Sequence, residues 1–234
     1  MEKFVHSNIH PFTNIFQPIY NLKEMEIVGY ESLMRTTMYK DIKELFQLAH
    51  EQEFLYELDT ASIKNSLAQF KHTYWEDHVF LSVNIFPSTL GDAQFISFLT
   101  QLITELDFEP SRLVLEMNVL VDLTTLEQLK EQISLFQSFG IKIAIDELGK
   151  STSSVVSLIE LSPDMVKLDH YFSKDLASIT KKQTFLISLL IWLEDKEIIL
   201  EGLEAQEDVD KARALGIHYA QGYQLGHPEE HLNK

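Results

Sequence analysis

Apolar residues fall in short runs rather than in long helical stripes. The runs are IFQPIY at 15–20, IVGYESLM at 27–34, VFLSVNIF at 79–86 and RLVLEM at 112–117. They continue with KIAIDEL at 142–148, DMVKLD at 164–169, EIILEG at 197–202 and HYAQGY at 218–223. Their length and their β-branched and aromatic content predict eight buried strands. Helical spacing appears between them. Leu126, Leu129, Ile133 and Phe136 lie on one face of a segment over 122–139, which Gly140 ends. Segments 41–51, 59–70 and 207–215 read as further helices. Strand and helix in alternation predict βαβ units, and eight strands predict an α/β fold of the (β/α)8 barrel type. The first two runs are only a few residues apart. A parallel crossover needs about a dozen residues, so this pair is expected to be antiparallel and the barrel irregular at its start.

Polar residues sit just past the buried part of each run: Glu31, Asn84, Glu116, Asp146, Lys167, Glu201 and Gln221. Successive members are 20 to 53 residues apart, in most cases about one βα unit. In a barrel of this type the C-terminal strand ends converge on one mouth, where active sites lie. Each residue alone is explained by a strand ending in water; seven together point to a site. So many carboxylates in one place cost several kcal/mol in repulsion and desolvation unless cations join them. Carboxylate and amide oxygens suit Mg²⁺ or Mn²⁺.

Composition narrows the classes. The 234 residues carry 19 Lys and Arg against 36 Asp and Glu, a formal charge of −17. Such a body repels duplex nucleic acid and anionic membrane surfaces. A phosphorylated ligand would need a local cation to reverse that field. The absence of cysteine excludes disulfides, thiolate metal sites and a thiol nucleophile. The longest apolar run, 185–193, is too short to span a bilayer, and the first residues lack a signal-peptide core. A cytoplasmic protein with one domain over 1–234 is expected, as no stretch reads as a linker.

Several independent motifs in order carry a family resemblance. FQPIYNLKEMEIVGYESLMR contains Glu31-Ser32-Leu33. LSVN ends at Asn84 and LVLE at Glu116; VKLD spans 166–169, EGLE 201–204 and AQGY 220–223. From about residue 16 to 228 the chain resembles the EAL domain of bacterial cyclic di-GMP signalling. The resemblance implies a modified (β/α)8 barrel that hydrolyses cyclic di-GMP to linear pGpG with Mg²⁺ or Mn²⁺. By the same resemblance Glu31, Asn84, Glu116 and Asp146 hold one metal, and Glu147 and Glu201 help with a second. Lys167 orients or deprotonates the attacking water, with its pKa depressed beside the metals. Gln17, Arg35, Asp169, Glu204 and Gln221 contact the ligand or its neighbours. Regulation is expected through a homodimer, a regulatory protein partner or expression, since this length leaves no room for a fused sensor or cyclase domain.

One loop departs from the family. Asp-Asp-Phe-Gly-Thr-Gly is replaced by Asp146-Glu147-Leu148-Gly149-Lys150-Ser151, and a Glu three residues after the Glu116 position is Val119. Glu147 moves a carboxylate by about a methylene, and misplacement near 1 Å costs on the order of a hundredfold in rate. Ser151 is expected to be strained if its position needs φ > 0. The expectation is therefore metal and ligand binding with hydrolysis weakened or lost.

Other signals read as structural. Gly149-Lys150-Ser151-Thr152 imitates a P-loop end, but the required upstream glycine is Ala144. The pairs His6/His10 and His227/His231 lack a zinc pattern. Trp75 and Trp192 read as packing anchors, and the acidic stretch from Glu51 to Asp59 as a solvated helix face.

Overall fold

The computed structural model describes residues 12–74, 78–118, 123–149 and 153–229. Eight strands close into a barrel in sequence order. They are β1 (Phe12–Asn21), β2 (Glu26–Thr36), β3 (Phe80–Asn84), β4 (Leu113–Met117), β5 (Lys142–Leu148), β6 (Met165–Leu168), β7 (Glu197–Leu200) and β8 (Tyr219–Ala220). All eight runs are thus strands. Strand β1 is antiparallel to both β2 and β8, and every other pairing is parallel. The four-residue turn at 22–25 dictates this reversal, since it is too short for a crossover.

Helices α1 (Ile42–Glu51), α2 (Leu55–Tyr74), α3 (Pro87–Leu90) and α4 (Phe95–Leu106) come first. They are followed by α5 (Leu123–Ser138), α6 (Ser153–Leu161), α7 (Thr180–Trp192) and α8 (Gln206–Ala214). The segments read as helices over 41–51, 122–139 and 207–215 match α1, α5 and α8. The one over 59–70 is the middle of the longer α2. Leu126, Leu129, Ile133 and Phe136 are all buried, so that stripe faces the barrel as its spacing requires.

Alternation along the strands builds the interior in layers. Ile19, Val114, Ala144, Met165 and Ile199 form one apolar cluster inside the barrel, with Tyr219 against it. Two residues further along on the same side come Gln17, Glu116, Asp146, Lys167, Glu201 and Gln221. A strand presents every second residue to one face, so an apolar layer is capped by a polar one on strand after strand. Gly29 matters to the lower layer: a Cβ there would sit 2.5 Å from the Phe80 ring.

Two readings need correction. Asp59 does not belong to a solvated face: its side of α2 turns against the strand β3 end and it is only 3% exposed. Trp192 does not anchor a core; it is 48% exposed on α7. Val119, Lys150, Ser151, Trp75, His6, His10 and His231 lie outside the described residues. No helix among the described residues is long and apolar enough to cross a membrane.

Candidate active site

The polar layer converges on one side chain, Lys167. It is 1% exposed, and its ammonium lies 2.6 Å from Glu116, 2.9 Å from Glu201 and 3.0 Å from Glu31. Four different strands supply these groups, because β6 lies between β5 and β7 and its inward side chain points across the barrel. Amides and a hydroxyl tie the carboxylates down. Gln221 Nε2 donates to Glu31 at 2.7 Å and to Gln17 Oε1 at 3.0 Å. Asn84 Nδ2 donates to the other Glu31 oxygen at 3.2 Å, and Ser82 Oγ donates to Glu116 at 2.7 Å. Gln17 in turn donates to the Gly226 carbonyl at 3.1 Å.

One ammonium faces more negative charge than it can balance. Burial raises the Glu116 carboxyl well above the usual range; neighbouring Glu31 adds to this, and Lys167 only partly offsets it. Burial likewise raises Asp146, and pushes Glu201 up to about 7. Glu31 is the exception: burial pushes it up, but Lys167, Gln221 and Asn84 together bring it below the ordinary value. For Lys167, burial favours the neutral amine, yet Glu116, Glu201, Glu31 and Asp146 outweigh it and hold the pKa well above normal.

The β5 end is built differently. Asp146 accepts the backbone N–H of Glu147 at 2.6 Å. Glu147 takes a left-handed backbone (φ 53°), and its carboxylate accepts the side-chain amide of Asn118. Gly149 follows at φ 100°, and the β5–β6 register shifts between Ile145 and Leu148. So the positive φ falls on Glu147 and Gly149, within the loop whose sequence departs from the family pattern.

Of the residues singled out by sequence, Gln17, Glu31, Asn84, Glu116, Asp146, Lys167, Glu201 and Gln221 come together. Arg35 lines a cleft of about 300 Å³ beside Glu31 and Asn84, with Leu33, Phe86 and Asn118. Glu204 lines a second opening with Gln17, Glu201 and Gln221. Asp169 stays apart, accepting the Tyr171 N–H and pairing with His170 at 3.3 Å. Sequence reading missed Ser82, Asn118 and Asp59. Ser82 and Asn118 were findable, each two residues from a site residue on the same strand face. Asp59 Oδ2 accepts the Phe86 N–H at 2.9 Å and so holds the turn after Asn84.

The donor set can be tested for a cation. Among the described residues no three carboxylate or imidazole side chains already form a metal cage. The carboxylates close on Lys167 instead. In kind they fit a hard divalent ion: oxygen donors only, with excess negative charge that raises three of their pKa values.

A closed barrel with one antiparallel strand and an acidic mouth around a buried lysine defines a TIM-like class of α/β protein. The EAL domain model matches residues 7–228, and the chain belongs to the EAL domain family. It is 26% identical over 222 residues to a probable cyclic di-GMP phosphodiesterase, PdeI, of Escherichia coli, covering 89% of this chain and 28% of PdeI. It is 29% identical over 232 residues to the EAL-domain containing protein YkuI of Bacillus subtilis, covering 96% and 56%. The chain thus spans between about a quarter and just over half of these relatives' length. The barrel superposes on Klebsiella pneumoniae BlrP1, solved as a calcium and cy-diGMP complex, with a TM-score of 0.85 at 21% identity, covering 95% of this chain and 57% of that one.

Proposed function

We propose that this chain forms a single EAL domain over 1–234 that binds a divalent cation and cyclic di-GMP at the barrel mouth, with hydrolysis to pGpG weakened or lost. One observation carries the reading: carboxylates from three strands share a single buried ammonium on a fourth, at a cost that a pure interaction module has no reason to bear. Glu31, Asn84, Glu116 and Asp146 would hold one Mg²⁺ or Mn²⁺, and Glu147 with Glu201 would help with a second. Such ions lower the pKa of bound water and shield phosphate charge. The names of PdeI and the ligand of BlrP1 support cyclic di-GMP as the ligand class.

The chain's own groups do the positioning. Lys167, within 3.0 Å of Glu31, Glu116 and Glu201, would orient or deprotonate the attacking water. Gln221 and Gln17 fix Glu31 from the β1–β8 side. Arg35 brings a cation to the cleft beside Glu31, suited to a phosphate or a base edge, and Glu204 reaches the opposite rim. Asp169 is assigned a ligand contact by resemblance alone. Weak turnover follows from the β5 end, where Glu147 is turned toward Asn118. A cytoplasmic setting and a regulatory protein partner complete the reading.

A second reading, a fully active phosphodiesterase, is favoured by the complete set of Glu31, Glu116, Asp146 and Lys167. Incubation with cyclic di-GMP and Mn²⁺, scored for pGpG beside a calorimetric binding titration, separates the two. Binding with slow turnover is expected. The combined repair Val119→Glu, Glu147→Asp, Lys150→Thr and Ser151→Gly should speed turnover, while single repairs do little, since groups acting as a unit are non-additive. Wild-type turnover as fast as that of the repaired protein establishes the active reading. No binding of Mn²⁺ or cyclic di-GMP refutes both.

A further inference from the structure

The end of β7 is held from behind by a hydroxyl. Ser173 lies in the loop between β6 and α7 and is fully buried. Its Oγ stands 3.0 Å from the Gly202 carbonyl and 2.9 Å from the His170 carbonyl. A hydroxyl has one proton to give, so one of the two acceptors depends on it more. The His170 carbonyl already accepts the Lys174 N–H at 3.1 Å, whereas no backbone N–H among the described residues reaches the Gly202 carbonyl. The hydroxyl therefore matters most to Gly202, the residue directly after Glu201.

The peptide group between Gly202 and Leu203 hangs between two neighbours. Its carbonyl takes the Ser173 hydroxyl on the β6 side. Its N–H, that of Leu203, donates to the Gln221 carbonyl at 3.2 Å on the β8 side. One step earlier the Glu201 N–H is fixed on the Leu168 carbonyl at 3.1 Å. Gly202 has φ 70°, and a Cβ there would fall 2.5 Å from the His170 Cβ, so the glycine lets the loop close onto the strand end. Glycine also turns easily once a bond is lost. Gly202 is half-buried, so a carbonyl deprived of the serine can rotate toward water rather than stay unpaired. Glu201 would move with it.

We infer that Ser173 is a positioning residue for Glu201: its hydroxyl locks the β7 end so that the Glu201 carboxylate stands in the mouth, placed for a second divalent cation. This rests on the reading of the mouth as a cation and cyclic di-GMP site. Glu201 is the acid that needs such a lock. Its side chain is 22% exposed, against 8% for Glu31 and 0% for Glu116. Glu31 is tied by Asn84 and Gln221, and Glu116 by Ser82. Among the described residues the Glu201 carboxylate meets Lys167 alone, at 2.9 Å. Its place is thus set through the backbone, and the backbone there is set by Ser173.

Mn²⁺ titrations of the whole chain with cyclic di-GMP present, read from the electron paramagnetic resonance of the free ion, test the inference. The wild type should take up one ion tightly and a second more weakly. Ser173→Ala should weaken the second by about 10–100-fold, the range found when groups supporting a metal site are removed, and leave the first unchanged. Ser173→Thr and Ser173→Val have the same shape, so any crowding is common to both, and only Thr should keep the second ion. Asp208→Ala frees the Ala177 N–H, which Asp208 accepts at 2.7 Å further along the same loop, and should spare both ions. Loss of both ions together in Ser173→Ala, or of neither, overturns the inference. So does indifference between Thr and Val, or a loss in Asp208→Ala as large as in Ser173→Ala. A wild type that takes up a single ion overturns it while the first cation site stands; one that takes up none overturns the functional reading as well.

Discussion

The two sides of the barrel mouth hold their carboxylates in different ways. On the β2–β4 side each acid is fixed by groups from other strands. Glu31 is held by Asn84 of β3, Gln221 beyond β8 and Lys167 of β6; Glu116 is held by Ser82 of β3 and the same lysine. On the β5 side the bonds are local. Asp146 takes the next residue's N–H, and Glu147 leans on Asn118 from a left-handed backbone. A group fixed by several elements moves only if the barrel moves. A group fixed by its own loop moves with the loop. Geometry for in-line displacement has to hold within a few tenths of an ångström, so the β5 side is where turnover is most easily lost without loss of binding.

The largest effect should come from removing what the first side is built on. Lys167→Met leaves Glu31, Glu116 and Glu201 facing one another without a buried cation. Breaking such a set costs about 3–5 kcal/mol. Denaturant unfolding should show that loss, and Mn²⁺ should stabilise the variant more than the wild type, because the carboxylates are then free to take it up. A stability within error of the wild type would mean the cluster opens to water and does not depend on its lysine.

Next comes the contrast in metal affinity. Glu116→Gln should weaken Mn²⁺ binding by about 10–100-fold, the range found when groups around a metal are disturbed. Glu147→Gln should weaken it less, because Glu147 would help only with the second ion. Isothermal titration of both variants decides the matter, and equal losses would erase the difference between the two sides.

A third prediction concerns a hidden cost on the well-fixed side. Asp59 holds the turn after Asn84, yet burial raises its pKa to about 6, with the Phe86 N–H opposing the rise. In the unfolded chain it titrates near the ordinary 3.8. Between these values the folded form keeps a proton that the unfolded form has lost. Its contribution therefore falls as pH rises from about 4 to about 6, and stays low above that. Asp59→Asn keeps an acceptor for the Phe86 N–H and has no charge to bury. It should stabilise the protein by about 1–2 kcal/mol at pH 8, less than the full shift because the bond to a neutral amide is weaker. The gain should vanish near pH 4. Thermal melts at both pH values check the sign as well as the size.

The barrel was readable in the sequence because alternation is local: Val114 before Glu116, Met165 before Lys167 and Ile199 before Glu201 mark inward faces without any knowledge of partners. The membership of the mouth followed from the same period. What was not readable is set by contacts distant in sequence. That Lys167 stands between three carboxylates depends on barrel closure, and its raised pKa follows from that placement. Asp59 lies in an acidic stretch that looks solvated, and only the packing of α2 against the β3 end buries it. Trp192 reads as an anchor from its apolar neighbours, but helix rotation points it outward. The substitutions single out the β5 loop, but not that Glu147 takes a left-handed backbone there, and Ser151 lies outside the described residues.

That strain supports the smallest prediction. A glutamate at φ 53° carries a Cβ in the region that disfavours it, a cost of about 1 kcal/mol, whereas Asn adopts this conformation readily. Glu147→Asn should therefore relieve the backbone. It also shortens the side chain that meets Asn118, but Asn118 is exposed, and a contact at such a position is worth little. The net gain should be about 0.5 kcal/mol, a rise of roughly 1–2 °C in Tm for a chain of this size. Mn²⁺ affinity should fall less than with Glu116→Gln, since Glu31, Asn84 and Glu116 are held from elsewhere. Glu147→Val provides the opposite arm: a β-branched side chain is poorly tolerated at positive φ, and Tm should fall. If both substitutions shift Mn²⁺ binding as much as Glu116→Gln does, the two sides of the mouth hold cations equally and act as one.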